Sequence, residues 1–426
     1  MSRGTLAAAP DGRPAPSVSP LAFASVDPEL LDRYADLIVT FGANVQPDQV
    51  VAVEALPEAR PLVHRIAERA YERGARYVDV VYFDPAVKRL RIEHAAEETL
   101  GWVPPWLGGR IISLGELDAA RIVLVPLTPP GELDGTDPAR AGRDRLPTLS
   151  ETFQVVADRS VAWTISPFPT ESWARVVYPE LGEAEALDSL WRDVVHVCRL
   201  DEADPAEAWT NRIEEIWQVA RRIDELELDA LRFEGPGTEL TVGLLPSSRF
   251  AKEGGASTTR TGTRHVPNLP TEELFTTPDP ERTEGVVAAT KPLDVGGTVV
   301  EGLRIRFEGG RAVEIDADAN AETLRERCAA DEGASRLGEV ALVDRESRIG
   351  RIGRTFYNTL LDENAASHVA LGDAYAMPVG DPADLPRINE SVIHIDFMIG
   401  SDDVTVTGRT KTGDEVEILV GGSWRI

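Results

Sequence analysis

Residues 391–399 read SVIHIDFMI, and this run decides how the chemistry-bearing part of the chain folds. Its β-branched and aromatic residues favour a strand, in which successive side chains alternate between two faces. His394 and Asp396 therefore share one face of the predicted strand. An imidazole and a carboxylate on one rigid element are suitable ligands for Zn, Co, Mn or Fe(II). A structural role, with Asp396 as a hydrogen-bond acceptor and His394 in the core, is equally compatible with this pair.

The segment before this strand adds further polar candidates. Residues 356–368 read FYNTLLDENAASH and contain Glu363 and His368, and Tyr375 follows shortly afterwards. Two of the six histidines in the chain therefore lie in one segment, each with a carboxylate nearby. His368 taken by itself is compatible with a purely structural role.

Two upstream motifs contain glutamates in apolar surroundings. Residues 268–275 read NLPTEELF and place Glu272 and Glu273 in a proline-marked loop. Residues 337–343 read LGEVALV and place Glu339 at the start of an apolar run. A charged side chain in a buried strand is costly unless it is paired or bound to a metal, which makes Glu339 a candidate ligand. A solvated position at the end of the strand is the alternative explanation.

The charge of the chain restricts its partners. Its 426 residues include 44 basic and 72 acidic side chains, which give a formal net charge of −28. Nucleic acids and anionic membranes are bound through Lys and Arg, so neither is expected as a partner. No GxGxxG or P-loop motif follows the first predicted strand, which argues against a nucleotide site.

The remaining composition points to a cytoplasmic globular protein. The chain contains two cysteines, Cys198 and Cys328, and no CxxC motif, so a disulfide framework is not expected and a reducing cytoplasm is. No apolar run approaches the roughly 20 residues of a membrane span. Residues 1–25 are rich in Ala, Pro and Ser and predict a disordered extension rather than a signal peptide.

The alternation of strands, helices and turns predicts two domains after this extension. In residues 26–203, short apolar strands alternate with amphipathic helices, which predicts an α/β domain with a mostly parallel sheet. In residues 204–426, turn sequences such as EGPG at 234–237 and EGGR at 308–311 separate short strands. These hairpins predict a β-rich α+β domain that contains the metal-binding and catalytic residues.

Four ordered blocks of sequence together resemble the thermophilic-type metalloaminopeptidase family, which includes aminopeptidase T and aminopeptidase S. The blocks are NLPTEE at 268–273, LGEVALV at 337–343, FYNTLLDENAASH at 356–368 and HIDFMIG at 394–400. The resemblance extends from Leu30 to the C-terminus. It implies a homodimeric aminopeptidase that removes the N-terminal residue from short peptides with a free N-terminus. It also implies two divalent metal ions, which would be Zn, Co or Mn.

Carried over residue by residue, the resemblance implies six metal ligands: Glu273, Glu339, His368, Tyr375, His394 and Asp396. Glu339 would bridge the two metals, and their shared water would attack the peptide carbonyl. Glu363 is implied either as a further ligand or as the group that transfers a proton to the leaving amine, with Glu273 as the alternative. Tyr375 is implied as a catalytic group as well as a ligand, and a hydrogen bond to a ligand is its alternative role.

Two other functions match part of the same pattern. His368, His394 and Asp396 match the two-His-one-carboxylate triad of a mononuclear Fe(II) ring-cleaving dioxygenase on a related scaffold. Such an enzyme has no need of Glu273 and Glu339, so their presence favours hydrolysis. A metal-binding scaffold without catalytic activity is the third hypothesis, but no feature of the sequence requires it.

Overall fold

The computed structural model describes residues 26–250 and 255–426, so the predicted disordered extension lies outside the described residues. The helices are α1 (Pro28–Asp36), α2 (Arg60–Glu72), α3 (Pro85–His94), α4 (Pro105–Glu116), α5 (Pro138–Arg143), α6 (Ser150–Ala157), α7 (Glu171–Val177), α8 (Glu183–Val197), α9 (Pro205–Glu225), α10 (Ala321–Cys328), α11 (Arg348–Ile352) and α12 (Thr359–Glu363). The strands are β1 (Val50–Ala55), β2 (Tyr77–Tyr82), β3 (Ala120–Val125), β4 (Ala162–Pro167), β5 (Leu228–Gly235), β6 (Thr238–Leu244), β7 (Ser257–Thr258), β8 (Arg264–His265), β9 (Glu273–Thr276), β10 (Pro278–Ala288), β11 (Leu293–Val295), β12 (Thr298–Val300), β13 (Arg304–Glu308), β14 (Arg311–Asp316), β15 (Leu337–Val343), β16 (His368–Gly372), β17 (His394–Met398), β18 (Thr405–Thr410), β19 (Glu415–Val420) and β20 (Ser423–Trp424).

A four-stranded parallel sheet with the order β2-β1-β3-β4 lies at the centre of the N-terminal part. Helices separate its strands along the chain, as parallel pairing requires. Helices α1, α2 and α8 cover one face through a core that includes Tyr34, Leu62 and Leu190. Helices α4 and α6 cover the other face through Ile111 and Val155. The predicted α/β fold with a mostly parallel sheet is confirmed.

Antiparallel strands dominate the C-terminal part. One sheet has the order β14-β13-β10-β6-β5-β18-β19-β20, and a second has the order β17-β16-β15-β9. The turns at 234–237 and 308–311 join β5 to β6 and β13 to β14, as the sequence predicts. Phe233 of the larger sheet and Val369 of the smaller one belong to the same buried core. The predicted β-rich α+β fold is confirmed.

Helix α9 contributes to both cores. Trp209 and Ile213, in its N-terminal half, belong to the core beside the parallel sheet. Ile216 and Ile223 belong to the core of the antiparallel sheets. Because this helix is shared, the division of the chain into domains at residue 204 stays a prediction. Neither α9 nor any other helix in the described part of the chain is long and apolar enough to cross a membrane.

A second connection extends the parallel sheet towards the C-terminal part. The backbone N–H of Ile165 in β4 donates to the carbonyl of Pro267 over 2.7 Å. The N–H of Leu269 donates in turn to the carbonyl of Ile165 over 3.0 Å. The loop at 267–272 is therefore fixed along the edge strand β4, and this loop leads directly into β9.

A β-bulge at Gly338 changes which side chains of β15 share a face. In a regular strand Leu337 and Glu339 would point the same way. Leu337 pairs with Leu371 and Glu339 pairs with Ala370, so the register shifts by one residue between the two pairs. Leu337 consequently enters the apolar core, while Glu339 lies on the opposite face of the sheet.

Replacing Gly338 with alanine should destabilise the protein, because the bulge leaves no room for a side chain. A Cβ there would stand 2.3 Å from the carbonyl oxygen of Asp373 and 2.4 Å from that of Gly372. We expect a loss of about 1–3 kcal/mol in the free energy of unfolding, which urea denaturation measures.

The matched control is Gly109→Ala in α4, because a Cβ at Gly109 meets no atom within 4 Å. Alanine is the better helix former, so this variant should gain about 0.5–1 kcal/mol. Wild-type stability in the Gly338→Ala variant would show that the bulge relaxes freely and would contradict the steric argument.

Candidate metal centre

The implied ligands converge on one face of the sheet β17-β16-β15-β9. The other face carries core residues such as Val369 and Phe397. Cross-strand pairing places Glu339, Ala370 and Asp396 side by side, and the small alanine leaves space between the two carboxylates. Each of the four strands supplies at least one polar side chain to this face: Glu273 from β9, Glu339 from β15, His368 from β16, and His394 and Asp396 from β17.

The ligand atoms form two groups of three that share Glu339. In the first group, Nε2 of His368 lies 3.0 Å from Oε2 of Glu273 and 3.6 Å from Oε1 of Glu339. In the second, Nε2 of His394 lies 3.3 Å from Oδ1 of Asp396 and 3.7 Å from Oε2 of Glu339. Within each group, one ligand atom from every residue lies within 4.8 Å of the others. The two oxygens of Glu339 therefore face two different histidines.

Backbone carbonyls fix the orientation of both histidine rings. Nδ1 of His368 lies 3.1 Å from the carbonyl oxygen of Ala366, and Nδ1 of His394 lies 2.8 Å from that of Asp373. A carbonyl oxygen can only accept, so Nδ1 carries the proton in each ring. Nε2, which faces the carboxylates, then presents its lone pair whenever the ring is neutral. Metal-binding histidines are usually held in this way.

Two buried atoms of the first group test whether these residues fit a metal ion. Nε2 of His368 and Oε2 of Glu273 are close enough for a hydrogen bond, but their directions do not form one. No other described residue forms a hydrogen bond with either atom. Unsatisfied buried polar atoms cost free energy, and a divalent cation would satisfy both. Together with the carboxylates of Glu339 and Asp396, this donor set fits Zn, Co or Mn.

Glu363 lies beside the two groups, at the C-terminal end of α12. Its Oε1 accepts hydrogen bonds from Nδ2 of Asn268 over 3.2 Å and from Nδ2 of Asn364 over 3.4 Å. Burial raises its pKa well above the ordinary range, and the charges of Glu273 and Asp396 raise it further. A carboxyl group whose affinity for a proton is raised in this way is a candidate for proton transfer.

Tyr375 packs against the second group. The centre of its ring lies 5.4 Å from that of His394 and 5.8 Å from that of Phe275. Burial raises the pKa of its hydroxyl well above the ordinary value, and the charges of Glu339 and Asp396 add to this effect. Its hydroxyl therefore keeps its proton in protein without metal. Whether Tyr375 is a ligand or a hydrogen-bond donor stays a prediction.

Glu272 has a different environment from its neighbour Glu273. Its buried carboxylate accepts hydrogen bonds from Arg199 over 2.9 Å and from Arg212 over 2.6 Å. Its backbone N–H donates to Oδ1 of Asn364 over 2.5 Å. These contacts fix the loop from which Glu273 reaches His368. No local sequence signal distinguishes the two glutamates, because both arginines lie far away along the chain.

The centre opens into a cavity of about 460 Å³ between the parallel sheet and the smaller antiparallel sheet. Val125 and Ile165, near the carboxyl ends of β3 and β4, line one side, and Phe275 and His394 line the other. Ligands of α/β sheets commonly bind at the carboxyl ends of the strands. The volume lies within the roughly 300–1,000 Å³ that is typical of small-molecule sites.

Comparison with known proteins supports the resemblance found in the sequence. The chain matches the family described as thermophilic metalloprotease (M29) over residues 27–424. It is 40% identical over 410 residues to aminopeptidase T of Thermus aquaticus, covering 93% of this chain and 99% of that protein. It is 37% identical over 405 residues to aminopeptidase 2 of Geobacillus stearothermophilus, covering 92% and 97%. The solved structure of wild-type AmpT from Thermus thermophilus has a TM-score of 0.81 and 38% identity, covering 93% and 99%.

Metal binding to protein stripped with a chelator should strengthen as the pH rises. Burial raises the pKa of Glu339 to about 7. Burial opposes protonation of His394, but the carboxylates of Asp396 and Glu339 outweigh it and raise its pKa to about 10. Metal-free protein therefore holds protons that a metal must displace, so affinity should rise at least about tenfold per pH unit between about pH 6 and pH 8.

Calorimetric titration at several pH values, in buffers of different ionisation enthalpy, measures both the affinity and the protons released. An affinity that stays constant across this pH range, without proton release, would contradict the assignment of Glu339 and His394 as ligands.

Proposed function

The chain belongs to the thermophilic metalloprotease (M29) family and is a metalloaminopeptidase, and we propose that it cleaves short peptides at a centre of two divalent ions. The observation that carries this proposal is the pair of three-residue groups that share Glu339. We assign one ion to Glu273, Glu339 and His368. The second is assigned to Glu339, His394 and Asp396, with Tyr375 as its further ligand.

The metals and the protein have separate tasks in this proposal. When bound, two divalent ions would lower the pKa of a shared water, polarise the scissile carbonyl and hold the free α-amino group of the substrate. Glu339 bridges the two groups through its two oxygens, whose histidine partners lie 3.6 and 3.7 Å away. The carbonyls that accept from Nδ1 of His368 and His394 keep both Nε2 atoms directed at the centre.

Glu363 moves the proton that hydrolysis requires. Water adds a hydroxyl to the carbonyl carbon, the C–N bond breaks, and the leaving nitrogen must gain a proton. Glu363 accepts this proton from water at Oε2 and returns it to the nitrogen, while Asn268 and Asn364 hold its Oε1. Its raised pKa favours holding the proton between the two transfers. Glu273 is the alternative proton carrier.

The ring-cleaving dioxygenase is not favoured. Its facial triad would consist of His368, His394 and Asp396, but the two histidines belong to different groups, each completed by Glu339. Family membership also indicates peptide hydrolysis. The choice among zinc, cobalt and manganese, the homodimeric state and the cytoplasmic location stay predictions.

Substituting Glu339 with alanine should remove the residue on which both metal positions depend. We expect two equivalents of metal per chain in the wild type and fewer in this variant, as measured by elemental analysis of protein purified without chelators. Hydrolysis of an aminoacyl-nitroanilide should fall about a thousandfold or more, because metal activation of water is worth several kcal/mol.

The matched control is Glu301→Ala, which changes an exposed glutamate far from these ligands in sequence and should leave metal content and activity unchanged. Circular dichroism of both variants tests that the fold persists. Activity at the wild-type level in the Glu339→Ala variant would sink the two-metal assignment. One equivalent of iron in the wild type would instead support the dioxygenase.

Replacing Glu363 with glutamine distinguishes proton transfer from metal binding. Glutamine keeps an oxygen that accepts from Asn268 and Asn364 but cannot carry a proton. We expect kcat to fall about 10²- to 10⁴-fold with the metal content unchanged. Loss of metal in this variant would identify Glu363 as a ligand, and unchanged kcat would transfer the proton-carrying role to Glu273.

A further inference from the structure

Besides Arg121, three basic side chains line the same cavity as the candidate metal centre. They are Lys88 in α3, Arg145 in the loop after α5 and Arg327 in α10. Two come from the N-terminal part of the chain and one from the C-terminal part. This convergence is unexpected in a chain whose net charge is −28.

None of these three cations forms an ion pair with a carboxylate of the described residues. Lys88 donates from Nζ to the carbonyl oxygen of Gly296 over 2.7 Å, and Arg327 donates to that of Asp144 over 2.6 Å. Nε of Arg327 is buried and has no hydrogen-bond partner in the described part of the chain. By contrast Arg121, which lines the same cavity, pairs with Glu54 at 2.6 Å.

Because Lys88 and Arg327 are buried, the absence of a paired carboxylate beside each of them costs free energy. Lys88 is 4% exposed and Arg327 is 8% exposed. Both approach Gly296, since a Cβ on this glycine would stand 3.2 Å from Nζ of Lys88 and 3.5 Å from Nη2 of Arg327. Gly296 has φ +62°, a backbone conformation that favours glycine. Its lack of a side chain also leaves space beside the two cations.

Two acidic groups lie near this cluster but do not balance its charge. Burial lowers the pKa of both Lys88 and Arg327, and the charge of Asp144 raises it again in part. The same carboxylate also pairs with a further cation, Arg91, at 3.3 Å. Asp294 accepts from the N–H of Gly297 over 3.2 Å, and burial raises its pKa to about 7. Burial and the charge of Arg327 lower the pKa of Lys88 to about 8, which an added anion would reverse. The cluster therefore has an excess of positive charge that a bound anion would relieve.

We propose that Arg145, Lys88 and Arg327 form a carboxylate subsite that binds the C-terminal carboxylate of a short peptide whose N-terminus lies at the metal centre. Arg145 lines the cavity and forms no ion pair within the described part of the chain, and its guanidinium fork can bind a carboxylate through two parallel hydrogen bonds. The subsite rests on the proposed function, because it requires a peptide in this cavity. Binding at both ends would select peptides by length as well as by their free carboxylate.

The test compares peptides as free acids and as C-terminal amides. Di-, tri-, tetra- and pentapeptides with the same N-terminal residue are assayed with the metal-loaded wild-type enzyme. At one optimal length the acid should exceed the amide about 10- to 100-fold in kcat/KM, chiefly through KM, because charge-assisted hydrogen bonds are lost in the amide. A peptide amide with aspartate as its last residue should remain poor, which separates the terminal carboxylate from a side-chain carboxylate.

Arg145→Met tests the subsite directly. This variant should reduce the ratio of kcat/KM for the peptide acid to kcat/KM for the peptide amide to about one. Arg145→Lys should retain part of the preference for the acid. The matched control is Arg222→Met, on the exposed side of α9, which should keep the wild-type ratio.

A wild-type ratio near one at every length would overturn the subsite while leaving the aminopeptidase intact, and so would a ratio that Arg145→Met does not change. Failure to hydrolyse either the peptides or an aminoacyl-nitroanilide would instead overturn the proposed function. The comparison of acids with amides on the wild-type enzyme requires no variant, so it tests the carboxylate subsite even where Arg145→Met does not fold.

Discussion

The centre depends on one carboxylate, that of Glu339, buried within an otherwise apolar strand. Such a group is expensive to bury as an anion, which is why burial raises its pKa to about 7. The sheet offsets this cost by placing a histidine near each of its two oxygens, His368 from β16 and His394 from β17. The outer acids Glu273 and Asp396 complete the two groups. The arrangement of the other ligands therefore follows from the position of Glu339.

The fold classes could be predicted from sequence because they depend on local periodicity. Alternating strands and helices indicated the parallel sheet, and the turn sequences indicated the hairpins. The alternation of side chains between the two faces of a strand also predicted that His394 and Asp396 share one face, and the pairing of β17 agrees with this. The same rule fails at Leu337 and Glu339, because the bulge at Gly338 depends on its close approach to residues 372 and 373, which no local pattern encodes.

For the site, the sequence indicated which residues are candidate ligands but not which of them lie together. The resemblance named six residues without dividing them, whereas the folded chain brings five of them into two groups joined by Glu339. The supporting contacts were beyond prediction for a different reason. Glu272 is held by Arg199 and Arg212, and Glu363 by Asn268, through contacts between residues distant in sequence. Only the folded chain brings these residues together, so their roles follow from tertiary packing.

The cavity offers a separate binding group for each end of a short peptide. In the proposed function the metal centre holds the α-amino group, and the negatively charged C-terminus meets the cations Lys88, Arg145 and Arg327, which line the same cavity. The net charge of −28 would repel a peptide carboxylate, so only a local cluster of cations can hold it. Two different binding groups in one cavity, the metal ions for the amino end and the cations for the carboxyl end, would also fix the direction in which the peptide lies. A peptide bound the wrong way round would leave its carboxylate without the cations Lys88, Arg145 and Arg327, so the subsite would favour cleavage from the amino end.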